Sequence, residues 1–127
     1  MKNEVEIDFQ LWATTLPPKE ISKRTGITPD VELIKGERNA KLVLPRENLW
    51  ALRSRVESDS VADHWHNLEL ILISKKETLK EVAQTGSAKF TLIINSASRI
   101  PSIVIPPAMS SFAGYLNAVI EIDHLQH

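Results

Sequence analysis

The sequence predicts an α+β fold in which helices pack on one face of a largely antiparallel sheet. Several short segments alternate apolar and polar residues, which is the pattern of strands with one buried face. Between them lie segments whose apolar residues recur every three or four positions, as in amphipathic helices. In chain order the elements read β-α-β-β-α-β-β-α-β, and a chain of 127 residues is enough for one domain. We therefore expect a single α+β domain over residues 1–127.

The first predicted strand covers residues 4–12, EVEIDFQLW. Its apolar side chains occupy alternate positions and should point into a core, while the other side chains should point away from it. The predicted inward residues are Val5, Ile7, Phe9 and Leu11, and the predicted outward residues are Glu6, Asp8, Gln10 and Trp12.

A short helix and two further strands are predicted next. Pro18 suits the first turn of a helix, and Gly26 suits the left-handed position that follows one. Strands are predicted over residues 30–36 and 49–56, where apolar residues again alternate with polar ones. The stretch between these strands contains Pro45, which a central strand excludes. We predict a long, mobile connection there.

The longest helical pattern covers residues 60–86. Ser60 is the predicted N-cap, with Asp63 completing a capping box, and Gly86 is the predicted stop. The apolar face is interrupted at Lys75 and the residue after it, which predicts a bend or break and two shorter helices. The residues on that face are Val61, Trp65, Leu68, Leu72, Leu79 and Val82.

The remaining elements are two strands, a helix and a last strand. Residues 89–95 and 103–105 have the alternation of strands. Pro107 begins a helix whose apolar residues lie on one stripe. The chain then closes with a strand over residues 118–125, AVIEIDHL.

Composition and motifs exclude several functional classes. The chain contains no cysteine, which excludes disulfides, zinc-thiolate sites and thiol catalysis. His64 and His66 lie two positions apart on a helix, so they point in different directions and cannot share a metal. No G-x-S-x-G elbow and no phosphate-binding glycine loop occurs. We expect no enzymatic activity, no cofactor and no metal.

Charge and hydropathy bear on location and partners. The net charge of −1 gives no bulk attraction for nucleic acid. The N-terminal MKNEVEIDF lacks the apolar core of a signal peptide. No apolar run comes near the length needed to span a membrane, which is about 18 residues. A cytoplasmic protein without membrane contact is expected.

Acidic residues recur on the outward faces of the first and last strands. Glu6 and Asp8 share the first strand with Trp12, and Glu121 and Asp123 occupy the last. If these strands were neighbours, four carboxylates and an indole would form one surface. The simpler interpretation is a solvated sheet face. The sharper one is a docking surface for a basic protein partner, because interfaces combine aromatic residues with a charged surround.

A basic group of lysine and arginine residues offers the opposite possibility, which is a binding site for nucleic acid or for an acidic protein. Glutamates dilute it, and no series of aromatic residues accompanies it as in single-strand binders. We therefore expect no direct nucleic-acid binding. Its members are Lys35, Arg38, Lys41, Arg46, Arg53 and Arg55.

Short motifs lie along nearly the whole chain: LPPKEISKRTGITPD, IKGE, a strand with tryptophan, the helix VADHWHNLELIL and the closing VIEIDHL. Together they resemble the bacterial domain of unknown function 4279 family. The chain departs from the family pattern at Asp30, where a small hydroxyl residue is usual, and in the proline-containing connection. The matching residues are Leu16, Pro18, Glu20, Ile21, Gly26, Ile27, Pro29, Lys35, Gly36, Glu37, Trp50, Ile122 and Asp123.

The family resemblance implies a small α+β protein without an assigned activity, of a kind found beside contact-dependent toxins as immunity proteins. We therefore predict a protein-binding module that neutralises a basic toxin domain, such as a nuclease, by masking it. Two other hypotheses stay open. One is a small-molecule sensor or an enzyme with a pocket between helices and sheet. The other is a homodimer that pairs through an edge strand.

Overall fold

The computed structural model of the protein describes residues 5–37, 46–96 and 102–126. Within these ranges a five-stranded sheet has the order β2-β3-β1-β4-β5. The elements are β1 (Val5–Trp12), α1 (Pro18–Thr25), β2 (Val31–Leu33), β3 (Leu49–Arg53), α2 (Val61–Ser74), α3 (Lys76–Ala83), β4 (Ser87–Ser96), α4 (Pro107–Leu116) and β5 (Val119–Gln126).

The sheet is largely antiparallel, as predicted. β1 lies at its centre and pairs antiparallel with both β3 and β4, and β2 pairs antiparallel with β3. The exception is β5, which runs parallel to β4. The chain passes through α4 between these two strands, because a parallel neighbour requires a crossover connection. The predicted α+β class is confirmed.

The core lies between the inner face of the sheet and the helices. Phe90 of β4 is in its middle, with its ring centroid 4.8 Å from that of Phe9 and 5.9 Å from that of Trp65. Phe112 of α4 closes the cluster, 5.7 Å from Trp65. Full burial of each such side chain stabilises the fold by about 1.5–3 kcal/mol. The predicted inward residues of β1 are all buried: Val5, Ile7, Phe9 and Leu11.

The long helical pattern is divided at Lys75, as the interrupted apolar face predicts. α2 ends at Ser74 and α3 begins at Lys76, and Lys75 between them has a φ of −121°. A continuous helix would turn both lysines toward the core, where a charged group is costly. The break leaves both exposed.

The predicted capping box at the start of α2 is wrong. Ser60 has the extended backbone of an N-cap, but its side chain makes no capping hydrogen bond. The carboxylate of Asp63 instead accepts a hydrogen bond from the Ser58 hydroxyl at 2.6 Å. Asp63 still lies in the first turn, where a negative charge is favourable.

Gly86 has a different role from the predicted helix stop. α3 ends at Ala83, and Gly86 lies where the chain passes the end of β1. A Cβ on Gly86 would collide with the carbonyl oxygen of Trp12 and lie 2.7 Å from the carbonyl carbon of Ala13. Glycine is therefore required by close backbone approach.

The strand predicted over residues 103–105 is not formed. Residues 102–106 are not in a strand, and Ile103 and Ile105 pack against the core from a loop. Alternation of two isoleucines does not distinguish a strand from an extended loop segment. The predicted mobile connection falls mostly on residues 38–45, outside the described residues. No helix of the described ranges is long and apolar enough to cross a membrane.

Candidate protein-binding surface

The side of the sheet opposite the helices forms a second surface, which we call the open face. No helix of the described ranges packs on it. Paired residues of neighbouring strands share a face, so the register defines its membership. The open face consists of Val31 and Leu33 from β2, Leu49, Ala51 and Arg53 from β3, Glu6, Asp8, Gln10 and Trp12 from β1, Ser87, Lys89, Thr91, Ile93 and Asn95 from β4, and Val119, Glu121, Asp123 and Leu125 from β5.

The predicted acidic residues lie on this one face, although their strands are not neighbours. β4 separates β1 from β5. In the register, Thr91 pairs with both Asp8 and Glu121. One step along, Ile93 pairs with both Glu6 and Asp123. Each carboxylate pair therefore spans two strand spacings, about 10 Å.

Asp8 is not the exposed charge that its position predicts. Only 5% of its surface is exposed. Its Oδ2 accepts a hydrogen bond from Nε2 of Gln10 at 2.9 Å, and its Oδ1 lies 3.8 Å from Nε of Arg53. Arg53 of β3 is thus its ion-pair partner, while the buried Oδ1 has no hydrogen-bond partner among the described residues. Asp8 belongs to the structure of the open face and offers little contact to a partner.

The two carboxylates of β5 differ from each other. Glu121 Oε1 lies 3.3 Å from Nζ of Lys89, in an exposed pair that contributes little to stability. Asp123 and Glu6 make no hydrogen bond or ion pair with any described residue, and Ile93 lies between them. The strongest unpaired negative charge on the open face is therefore at the Glu6–Asp123 end.

Trp12 marks the opposite end of the open face. It is 51% exposed, and it is six residues from Glu6 in β1, about 20 Å along the strand. Its indole borders a depression of about 330 Å³. An exposed tryptophan beside a depression is the kind of residue that dominates protein interfaces. The other lining residues are Gln10, Ser87, Ala88, Lys89 and Val119.

The family motif in and after α1 mainly shapes the fold. Ile21 is buried, and Gly26 ends the helix in the left-handed region with a φ of 71°. Nε1 of the buried Trp50 donates a hydrogen bond to the hydroxyl of Ser22 at 3.0 Å. These contacts hold α1 against β3. They also border a second depression of about 570 Å³, whose lining includes Lys19, Lys23, Thr28 and Glu32.

Asp30 and the basic group meet at the end of β3. Asp30 Oδ2 accepts a hydrogen bond from the backbone N–H of Arg53 at 2.7 Å, and its Oδ1 pairs with the guanidinium of Arg55. Arg53 also faces Asp8. Both arginines therefore have acidic partners within the fold. Arg38 and Lys41 of the basic group lie outside the described residues.

A buried serine–histidine pair is the main feature that the sequence reasoning missed. His64 is 0% exposed. Its Nδ1 lies 2.6 Å from the hydroxyl of Ser54, and its Nε2 donates to the carbonyl of Ser58 at 2.8 Å. The Ser54 hydroxyl also accepts the backbone N–H of Ile7 at 2.9 Å. This arrangement makes Nδ1 the acceptor of the Ser54 proton.

This Ser54–His64 pair is structural, because every polar atom in it has a partner and no solvent reaches the imidazole. It fastens the end of β3 to β1 and α2. The helical spacing of His64 from Val61 and Leu68 could have placed it in the core. No cluster of three metal-ligating side chains occurs within the ranges that the structure describes.

Fold and surface together define a two-layer α+β protein with one sheet face on which no described helix packs. The chain belongs to the family described as Domain of unknown function (DUF4279), whose model matches residues 3–127. The resemblance seen in the short motifs is thus confirmed over nearly the whole chain. No curated protein and no solved structure matches the chain.

Proposed function

We propose that the protein is a non-enzymatic binding module, an immunity protein that neutralises a cognate bacterial toxin of the contact-dependent growth inhibition type. The observation that carries this proposal is the open face. It presents unpaired carboxylates, Glu6 and Asp123, at one end and an exposed indole, Trp12, at the other. Masking a toxin requires a rigid complementary surface and no reactive groups.

The charge of the open face supports a basic partner. Among the described residues of this face, four carboxylates face two cations, Arg53 and Lys89, a formal balance of −2. A nuclease domain would complement it, since a protein that binds nucleic acid is basic where it contacts the phosphates. Such a toxin acts in the cytoplasm, where the bound immunity protein would act too. Trp12 would fill an apolar recess of the partner.

The test uses the product of the gene directly upstream, where a cognate toxin is expected. Coexpression should rescue growth, and the purified proteins should form a complex. Neutralising both unpaired carboxylates (Glu6→Gln with Asp123→Asn) should slow association about tenfold at low salt and weaken its salt dependence. The matched control is Glu77→Gln with Glu81→Gln on α3, which removes two exposed charges on the helical side. Absence of a complex, or equal slowing by the control, would contradict the proposal.

The alternative, a small-molecule sensor or an enzyme, is favoured by one observation. The depression of about 570 Å³ beside α1 carries Lys19, Ser22, Asp30 and Glu32 on its lining, and small-molecule sites have comparable volumes. A thermal-shift screen against metabolites separates the two functions. A small ligand should raise the melting temperature by mass action, whereas a protein-binding module should respond only to its partner.

A further inference from the structure

Among the described residues, the last strand, β5, has a free edge. It is the terminal strand of the sheet, pairs on one side with β4, and runs for eight residues. Residues alternate in directing their backbone N–H and C=O groups to either side of a strand. Half of those groups in β5 therefore point away from β4, toward no described residue. An edge of this kind can accept a further strand.

Several of the usual protections of an edge are missing from β5. Its pairing with β4 is regular from Val119 to Gln126, without a bulge. The segment VIEIDHLQ contains no proline and no lysine, two residues that block edge pairing, and the charges that it does carry, Glu121 and Asp123, are acidic. Three of its apolar side chains are exposed: Val119 by 61%, Ile122 by 44% and Leu125 by 44%.

The charges of β5 disfavour pairing with a second copy in the registers centred on residues 121–123, in the middle of the strand. In antiparallel self-pairing about a two-fold axis at Ile122, Glu121 of each copy lies opposite Asp123 of the other. An axis at Glu121 or at Asp123 places that carboxylate opposite its own copy. Like charges directly opposite each other destabilise strand pairing. Each of these registers brings acidic groups together in the dimer.

We propose that β5 is completed by an extended segment of a partner protein in which basic residues alternate with apolar ones. The basic residues would lie opposite Glu121 and Asp123 on the open face, and the apolar ones opposite Ile122 on the other face. Backbone hydrogen bonds would supply affinity, and the alternating side chains would supply specificity. The inference rests on the proposed protein-binding function and names the segment that the partner presents.

Residues near β5 add to its preference for a basic partner segment. Glu6 lies across Ile93 from Asp123 and adds negative charge without a partner of its own among the described residues. A segment as long as β5 would extend about 26 Å, so it would run past both carboxylates and the exposed Val119 and Leu125. The partner segment would continue the open face by one strand.

The first test uses synthetic eight-residue peptides and the full chain. A fluorescent peptide of alternating lysine and valine should bind about tenfold more tightly than its glutamate–valine counterpart, and it should slow amide hydrogen exchange in β5. A lysine–valine peptide with alternate backbone nitrogens methylated keeps the charge but cannot pair with an edge, so it should not protect β5.

The same peptides are then tested on charge-reversed protein. The double variant Glu121→Lys with Asp123→Lys should bind the glutamate–valine peptide more tightly than the lysine–valine peptide. Glu77→Lys with Glu81→Lys is the matched control and should keep the wild-type preference.

The second test uses self-association. Asp123→Lys puts the introduced lysine opposite Glu121 of a second copy, so light scattering should show a dimer. The wild-type chain, and the double variant that reverses both charges of β5, should stay monomeric. A wild-type dimer whose β5 amides are protected would overturn the proposal, because the second copy would then be the occupant.

Other outcomes separate this inference from the proposed function. Equal binding of the methylated peptide, or binding without protection of β5, would overturn strand addition. If the upstream toxin binds while β5 keeps its free exchange rate, the binding function stands and the β5 inference is wrong. If the toxin does not bind at all, the immunity function is wrong, and the peptide results alone decide whether β5 accepts a basic strand.

Discussion

The two faces of strand β1 show how one segment divides its residues between stability and recognition. Ile7, Phe9 and Leu11 are fully buried under the helices. Alternating with them, Glu6 and Trp12 lie on the open face and keep contact with solvent. The period of two along a strand assigns neighbouring residues to opposite environments. Substitutions one position apart should therefore differ greatly in effect.

The open face itself is not uniform. Its centre is packed, since Asp8 and Thr91 are buried although no described helix covers them. Its two ends and the β5 edge are exposed. Recognition is therefore expected at Glu6, Trp12 and Asp123. Asp8 lies on the same face but is buried, so we expect it to contribute to the structure of the face and not to direct contacts. This division replaces the simpler expectation that Glu6, Asp8 and Trp12 of β1 all contact the partner.

The largest expected effect is on the inner face. Phe90→Ala removes the ring that contacts Phe9, Trp65 and Phe112 and should lower the free energy of unfolding by about 3–5 kcal/mol. Ile93→Ala, on the other face of the same strand and only half buried, should lower it by about 1 kcal/mol. Urea denaturation measures both. Equal losses in the free energy of unfolding would mean that the two faces of β4 contribute equally to stability.

Ser54→Ala should have the next largest effect. It leaves Nδ1 of His64 and the backbone N–H of Ile7 without their buried partner. An unsatisfied buried group costs about 1–3 kcal/mol, so a loss of about 2–3 kcal/mol is expected in urea denaturation. Ser58→Ala should cost less, because it retains the backbone carbonyl that His64 uses. A Ser54→Ala protein as stable as wild type would contradict the role given to the pair.

Gly86→Ala should have a smaller effect. The added Cβ would collide with the carbonyl oxygen of Trp12, and the backbone must shift to admit it. Such overpacking costs about 1–3 kcal/mol. Gly114→Ala is the control, because a Cβ built there meets no atom within 4 Å beyond its chain neighbours and the backbone of its own helix. Thermal unfolding of the two variants should show a lowered melting temperature for Gly86→Ala alone.

The smallest effect on stability is expected at Trp12. Trp12→Ala should change the free energy of unfolding by about 0.5 kcal/mol or less, because half of the indole is already in water. Trp12 should also be the one tryptophan that acrylamide quenches readily, since Trp50 and Trp65 are fully buried. Trp12→Phe should therefore abolish most quenching. Strong quenching that persists in this variant would show that the core is accessible.

Much of the fold could be predicted from local patterns. The alternation in β1, the glycine after α1 and the lysines that divide α2 from α3 each depend on nearby residues. The strand expected around Ile103 failed because extended loops share the same short alternation. The parallel pairing of β5 also escaped prediction, since strand order depends on the path through α4 and not on the sequence of β5.

The candidate site was predictable only in part. Strand periodicity placed Glu6, Trp12 and Asp123 on outward faces. It could not show that Asp8 is covered, because its partner Arg53 comes from a different strand. The His64–Ser54 contact likewise joins α2 to the end of β3. Contacts between distant segments decide which outward residues remain available to a partner.

Recognition is proposed on the open face and the β5 edge, and not on the helical layer. The decisive experiment is hydrogen exchange of the protein, with and without the upstream toxin domain. We expect slower exchange in β5 and at the Trp12 end of β1, with α2 and α3 unchanged. Slower exchange confined to the helices, with β5 unaffected, would instead place recognition on the helical layer.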